Sequence, residues 1–185
     1  MRKYLELILN QIMDIIALSL ILICGLITIV FFPYSAILAI EYDIEGEFKL
    51  IDKKKILVSL VIGVFLILVL SIILLNLYLL PTYPDLIKGI TIGLLLIIAI
   101  VVVGLSNSIL YLTATSDNFE FKEIIKKGLV LFYTSPLKWA GYFVFFLLTL
   151  FITYLAPASI IISLGINIKL IVIICNNAKI KLIHN

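Results

Sequence analysis

From Ile56 to Leu80 no residue carries a charge, and apolar runs of membrane-crossing length recur along the chain. A helix rises about 1.5 Å per residue, so about 20 residues cross the roughly 30 Å hydrocarbon core of a bilayer. Runs at about 8–32, 56–80, 86–112, 137–155 and 159–176 meet that requirement. Hydrophobic residues make up 64% of the chain and charged residues 14%, against about 45–50% and about 25% in an ordinary soluble domain. The expected fold is all-α. It is a single-domain polytopic membrane helix bundle, with five transmembrane helices and one interfacial amphipathic helix before the fourth.

Composition also narrows the partners. The net charge of +3 comes from lysines crowded at the ends of apolar runs, which suits a membrane edge better than a nucleic-acid surface, so no nucleic acid is expected. Cys24 falls inside the first run and Cys175 near the end of the last, and both read as reduced, buried thiols. Arg2 and Lys3 precede a first run too long for a signal-peptide core and without a small-x-small cleavage site, so it reads as a retained span.

Proline and glycine punctuate the runs. Pro33 is read as the end of the first span, and Ala39 to Lys55 as a polar connection. Pro81, Tyr83 and Pro84 make a tight hairpin between the second and third spans, and Pro157 turns the chain between the fourth and fifth. The third span opens with Gly89 and Gly93 at GxxxG spacing and carries Ser106, Asn107 and Ser108, so Gly89, Gly93 and Asn107 are candidates for helix packing.

The stretch Asp117 to Trp139 differs from its surroundings. Phe119, Ile124, Ile125, Leu129, Val130 and Phe132 recur mostly at helical steps, with Glu120, Glu123, Lys126 and Lys127 between them. The pattern predicts an amphipathic helix over 117–134, started by a capping box of Asp117 and Glu120. Ser135 is the expected N-cap of the next helix and Pro136 its first residue. The helix is expected in the interface plane. Lys122, Lys126, Lys127, Lys138 and Trp139 are then candidates for membrane-surface anchoring or for docking a partner.

Lysine placement sets the expected orientation. With five spans, one face receives Lys49, Lys53, Lys54, Lys55, Lys122, Lys126, Lys127, Lys138, Lys179 and Lys181, and the other only Arg2, Lys3 and Lys88. Positive residues favour the cytoplasmic side. The N-terminus is therefore expected outside and the C-terminus in the cytoplasm, with Tyr4, Tyr78, Tyr83 and Tyr154 as the outer interfacial belt and Tyr34, Tyr42, Tyr111, Tyr133, Trp139 and Tyr142 at or near the inner one.

Ionisable groups inside a membrane are costly, and Asp14 and Lys169 are the two that fall beyond the first turn of a span. Their opposite charge and compatible depth suggest an ion pair within the bundle; an outer-headgroup aspartate and a snorkelling lysine is the plainer alternative. Ser159, Ser163 and Asn167 recur at i, i+4 and i+8 and lay one polar stripe along the fifth span. Such a stripe packs helices more often than it lines a pore.

Glu41, Asp43 and Glu45 precede Gly46 at alternate positions, with Asp52 where an EF-hand loop has its last ligand. Glutamate in the first position, aspartate in the twelfth and Lys49 at a ligand position depart from that pattern, and a solvated acidic connection is the better reading. The sole histidine is His184, and HExxH, GxSxG, the P-loop motif and metal-spaced Cys/His pairs are all missing from the sequence. No enzyme activity and no cofactor are expected.

GLITIVFFPYSAILAI, then EFKLIDKKK, and then NFEFKEIIKKGLVLFYTSPLKW before the fourth span resemble the YesL-like family of small bacterial integral membrane proteins. The resemblance covers nearly the whole chain. Phe32 stands where the family commonly has glycine, and Lys138 where it often has arginine. The resemblance implies a bacterial cytoplasmic membrane protein without an established biochemical activity, encoded among carbohydrate-utilisation and sugar ABC-uptake genes. The expectation is a non-enzymatic accessory protein whose partners are the lipid bilayer and another membrane protein such as a sugar permease or its sensor. The alternative is a small carrier or channel acting as a homo-oligomer, with Asp14, Lys169 and the serine-asparagine stripe lining its path.

Overall fold

The computed structural model describes residues 10–16, 32–46, 53–116 and 120–184. These residues are helical apart from short turns. After a helical stretch at 10–16 come α1 (Phe32–Glu45), α2 (Lys53–Leu79), α3 (Asp85–Thr115), α4 (Phe121–Thr134), α5 (Pro136–Leu155) and α6 (Ile160–His184). Four of them, in the ranges Lys53–Thr82, Asp85–Thr115, Pro136–Leu155 and Ile162–Ile180, are long and apolar enough to cross a membrane. They match the second to fifth expected spans. Most of the first expected span, with Cys24, lies outside the described residues.

The segment around Pro33 departs from the sequence reading. Pro33 sits in the first turn of α1, where proline's fixed φ fits and its missing N–H removes no bond. The expected polar connection is therefore helical as far as Glu45. It stops at Gly46, which adopts φ +74° while its N–H donates to the Tyr42 carbonyl at 2.9 Å; glycine is the residue that enters this left-handed conformation without strain. Glu41, Asp43 and Glu45 thus lie on a helix rather than in a calcium-type loop, and Asp52 lies outside the described residues.

The two hairpins follow proline chemistry. Leu80–Thr82 tightens into a 3-10 turn that carries Pro81 near its start, and Pro84 occupies the cap position of α3. Asp85 in that first turn complements the positive end of the helix dipole. Pro157–Ser159 makes the second turn, joining α5 to α6. Thr153 and Ser159 meet across it at 3.5 Å.

The amphipathic helix begins later than expected. α4 starts at Phe121 with Glu120 as its cap residue and no side-chain bond across the cap. Glu120 cannot then act as the third helical residue of a capping box, and Asp117 lies outside the described residues. Ser135 does cap α5 by position, its carbonyl accepting from Lys138 at 3.1 Å and Trp139 at 3.3 Å, yet its hydroxyl makes no bond to the helix.

Packing is concentrated in one half of the bundle. Ile37 and Ile40 of α1, Val58 of α2, the stretch from Ile109 to Ala114 of α3, Leu131 of α4, Trp139 of α5 and Ile171 of α6 form one buried cluster. The lysine-bearing helix ends at Lys53, Lys138 and Lys179 belong to this same half. Away from it, Leu68, Ile72, Leu75, Leu86, Ile90 and Leu94 stand exposed. An apolar surface of this extent needs lipid or another helix around it.

Candidate functional site

Three features gather polar chemistry, and each is positioned by packing. The first is a charged cluster where α6 passes α1. Lys169 Nζ lies 3.3 Å from Asp43 Oδ1 and 3.9 Å from Asp14 Oδ2. Asp14, Tyr42, Asp43 and Gly46 line a recess of about 130 Å³ beside it. The structure therefore brings Asp14 and Lys169 together and adds Asp43, which the sequence reading had placed in a loop. Next to this cluster Glu41 accepts a hydrogen bond from Lys55. Glu41 is only 3% exposed and the Lys55 side chain 12%, so this ion pair is largely withdrawn from solvent. Sequence alone offered one signal for it: a lysine heading α2 must find an anion or reach out of the core.

The second feature is the stripe on α6. The Asn167 side-chain amide donates to the Ser163 carbonyl at 2.8 Å and to Thr149 Oγ1 at 3.2 Å, while the Thr149 hydroxyl donates back to the Phe146 carbonyl at 2.8 Å. With the Ser159–Thr153 contact, the stripe faces α5. Asn107 of α3, Tyr142 of α5 and Asn167 come together on the wall of a cavity of about 240 Å³ that is otherwise mainly apolar. Tyr142 and Thr149 were absent from the sequence-derived site. Their recognition depends on partners distant in sequence.

The third feature is the lysine-rich surface. Lys122, Lys126, Lys127 and Lys138 are exposed, and Lys126, Lys127 and Lys179 rim a groove of about 460 Å³ whose wall includes Thr115 and Ser116. That groove is at the C-terminal end of α3, where free carbonyls and the helix dipole favour cations. Glu123 pairs with Lys127 at 2.8 Å. The hydrogen bond from Lys127, its charge and the charge of Lys126 hold the Glu123 carboxyl below the usual glutamate range. Phe121, Leu129, Val130 and Tyr133 are exposed on the same helix, the mixture an interfacial helix presents.

Two expected assignments change. Trp139 is not a surface anchor: it is 1% exposed, and a Cβ built on Gly104 would stand 3.0 Å from its ring. Tyr111 and Tyr142, placed in the inner aromatic belt by sequence, are also buried, and Tyr111 donates to Asn176. Tyr78, Tyr133 and Tyr154 are the strongly exposed tyrosines at helix ends. A Cβ built at Gly89 or Gly93, in turn, would meet nothing within 4 Å. Close helix contacts are found at Gly104 and Gly128.

Among the described residues no group of three or more His, Cys, Asp or Glu side chains is placed to hold a metal ion. Compared with protein-family models, curated proteins and solved structures, the chain has no match in any of the three. A reading of its function therefore rests on its own geometry and on the resemblance described above.

Proposed function

We propose that the chain is a non-enzymatic accessory protein of the bacterial cytoplasmic membrane, belonging with the YesL-like proteins. In this reading it has five spans and one interfacial helix, with its N-terminus outside and its C-terminus in the cytoplasm. It associates there with another integral membrane protein of carbohydrate uptake, such as an ABC permease or its sensor. The supporting observation is the use made of the intramembrane polar groups. Ser159 and Asn167 bond toward α5, which is helix packing rather than the lining of a water-filled path. Meanwhile α2 and α3 carry long exposed apolar faces, Gly89 and Gly93 among them, available to lipid or to a partner helix. The orientation rests on the lysines and the partner class on family analogy.

Purification from native membranes in mild detergent, followed by mass spectrometry, tests the association. Recovery of an uptake permease or sensor subunit in comparable amount supports it; recovery of the chain alone counts against it. A Thr82→Cys variant tests the orientation, with labelling expected from outside only. The charged cluster of Lys169, Asp14 and Asp43 favours a second reading, an oligomeric carrier or channel for a small solute. Solute flux into liposomes that Asp14→Asn and Lys169→Met both abolish would select it.

A further inference from the structure

Asn167 holds its side-chain amide in one orientation only. The Ser163 carbonyl 2.8 Å away can only accept, so the amide nitrogen must face it, and the second amide hydrogen goes to Thr149. Both donors are then used, and the carbonyl oxygen Oδ1 is left. Among the described residues that oxygen is buried and has no hydrogen-bond partner, in a residue only 7% exposed. A lone acceptor held away from water is unfavourable until a donor reaches it.

Asn167 lines the cavity of about 240 Å³ bounded by α1, α2, α3, α5 and α6. Leu66, Val103, Phe146 and Leu164 provide apolar wall, and none of its lining residues is Asp, Glu, Lys, Arg or His. Asn107 and Tyr142 stand on the same wall. Drug-sized ligands occupy about 300–1,000 Å³, so the occupant is smaller. It is uncharged, because no counter-charge faces it. It brings a hydrogen-bond donor for Asn167 and a hydrocarbon body for the apolar wall. Water alone satisfies the first condition and not the second, since apolar cavity surface stays dry or takes apolar guests.

We propose that this cavity binds an uncharged amphiphile through a hydroxyl group, the O–H donating to Asn167 Oδ1 and the hydrocarbon lying against Leu66, Val103, Phe146 and Leu164. The site goes beyond the accessory reading and stands whether or not the chain has a protein partner. The hydroxyl can come from a neutral membrane lipid or from a small alcohol entering from solution.

Trp139 makes the proposal testable, because it is the chain's single tryptophan and its ring centroid lies 5.8 Å from that of Tyr142 on the cavity wall. The full chain is placed in phosphatidylcholine nanodiscs and titrated with ω-bromo-octanol or with bromo-octane, whose bromine quenches indole fluorescence at short range. Saturable quenching is expected, with a half-saturation about tenfold lower for the alcohol, the margin set by one hydrogen bond to a buried acceptor. Asn167→Leu is expected to remove that margin. Leu164→Phe, which fills the apolar side and leaves Asn167 in place, is expected to weaken both probes. It carries the test if Asn167→Leu fails to fold by circular dichroism. Equal quenching by the two probes, as for a water-filled cavity, overturns the proposal, as does an alcohol preference unchanged in the folded variants. Solvent extraction of the purified chain separates the sources. A hydroxylated lipid recovered at about one per chain, and lost in Leu164→Phe, identifies the bilayer; preference for the alcohol with no extracted lipid identifies a soluble alcohol.

Discussion

Lys169 Nζ and Asp43 Oδ1 stand 3.3 Å apart, so a single ammonium on α6 fixes the last turn of α1. The Asp43 side chain is 12% exposed, whereas that of Asp14, the second carboxylate on the same ammonium, is 51% exposed. Removing the lysine leaves a nearly buried carboxylate without its partner, while removing Asp14 leaves the closer pair intact. Lys169→Met is expected to destabilise the protein by about 1–3 kcal/mol. Asp14→Asn is expected to change stability by less than about 1 kcal/mol. Detergent denaturation followed by circular dichroism checks both, and equal effects of the two variants would show that Asp43 is not the principal partner.

Glu41 and Lys55 give a sharper version of the same test, because neither has much access to solvent. Breaking a buried ion pair from one side costs about 3–5 kcal/mol, whereas replacing both members with apolar residues of similar volume is often neutral or stabilising. Glu41→Leu and Lys55→Met are each expected to lose stability on that scale, and the double variant to recover most of it. A double variant as unstable as the sum of the singles would mean that the pair does not act as a unit.

What was legible in the sequence follows the strength of the physical constraint. Bilayer thickness demands long uncharged runs, so α2, α3 and α5 were visible within a few residues of their ends, whereas α6 was visible at its start but continues to His184, eight residues past its expected end at 176. The central amphipathic helix was visible from its periodicity, though not its start, because Glu120, read from the sequence as the third helical residue of a capping box, is the cap residue itself. α1 was missed because Glu41, Asp43 and Glu45 make its second half look like a polar loop. Its signals were Ala36, Ile37 and Ile40 at helical spacing and the stop at Gly46. The buried positions of Trp139 and Tyr142 could not be read locally. Both depend on residues of α3, Gly104 and Asn107, brought against α5 only by the fold. Gly89 and Gly93 were chosen by motif, but a Cβ at either would meet no neighbour, while close helix contacts occur at Gly104 and Gly128, which lack that spacing.

Glu123 makes the acid side of the stability profile informative. Its folded-state pKa is lowered, chiefly by the hydrogen bond from Lys127 and by the charges of Lys127 and Lys126. A group with a depressed folded pKa stabilises the fold above its unfolded pKa, about 4.3 for glutamate, and loses that contribution as pH falls through the folded value. The carboxylate carbon of Glu123 is expected to titrate by NMR with a midpoint below the usual glutamate value, and Lys127→Met should move the midpoint upward. No change between pH 6 and 8 should trace to this group. An unchanged midpoint in Lys127→Met would show that the pair does not persist in the membrane-bound protein.

Gly104 and Gly128 bring α3 and α4 close together from opposite sides, and each faces buried side chains that leave no room for a methyl group. A Cβ at Gly104 would meet the Phe132 ring at 2.6 Å and the Trp139 ring at 3.0 Å, while a Cβ at Gly128 would meet the Ile109 Cγ1 at 2.7 Å. Phe132 and Trp139 are rigid rings buried in the core, so neither can turn aside without displacing its neighbours, and overpacking of this kind costs about 1–3 kcal/mol. Ile109 is buried as well, and its Cγ1 sits on a β-branched Cβ whose χ1 is held largely to one rotamer in a helix, so it too has little room to give way. Both substitutions also gain up to about 1 kcal/mol of helix propensity. Gly104→Ala and Gly128→Ala are therefore both expected to be destabilising, measured side by side by detergent denaturation. A paired Gly104→Ala, Phe132→Leu variant should recover part of the loss, because leucine removes the ring edge that the new methyl group meets. If Gly104→Ala alone is tolerated, α3, α4 and α5 are not packed as closely at this point as the structure places them.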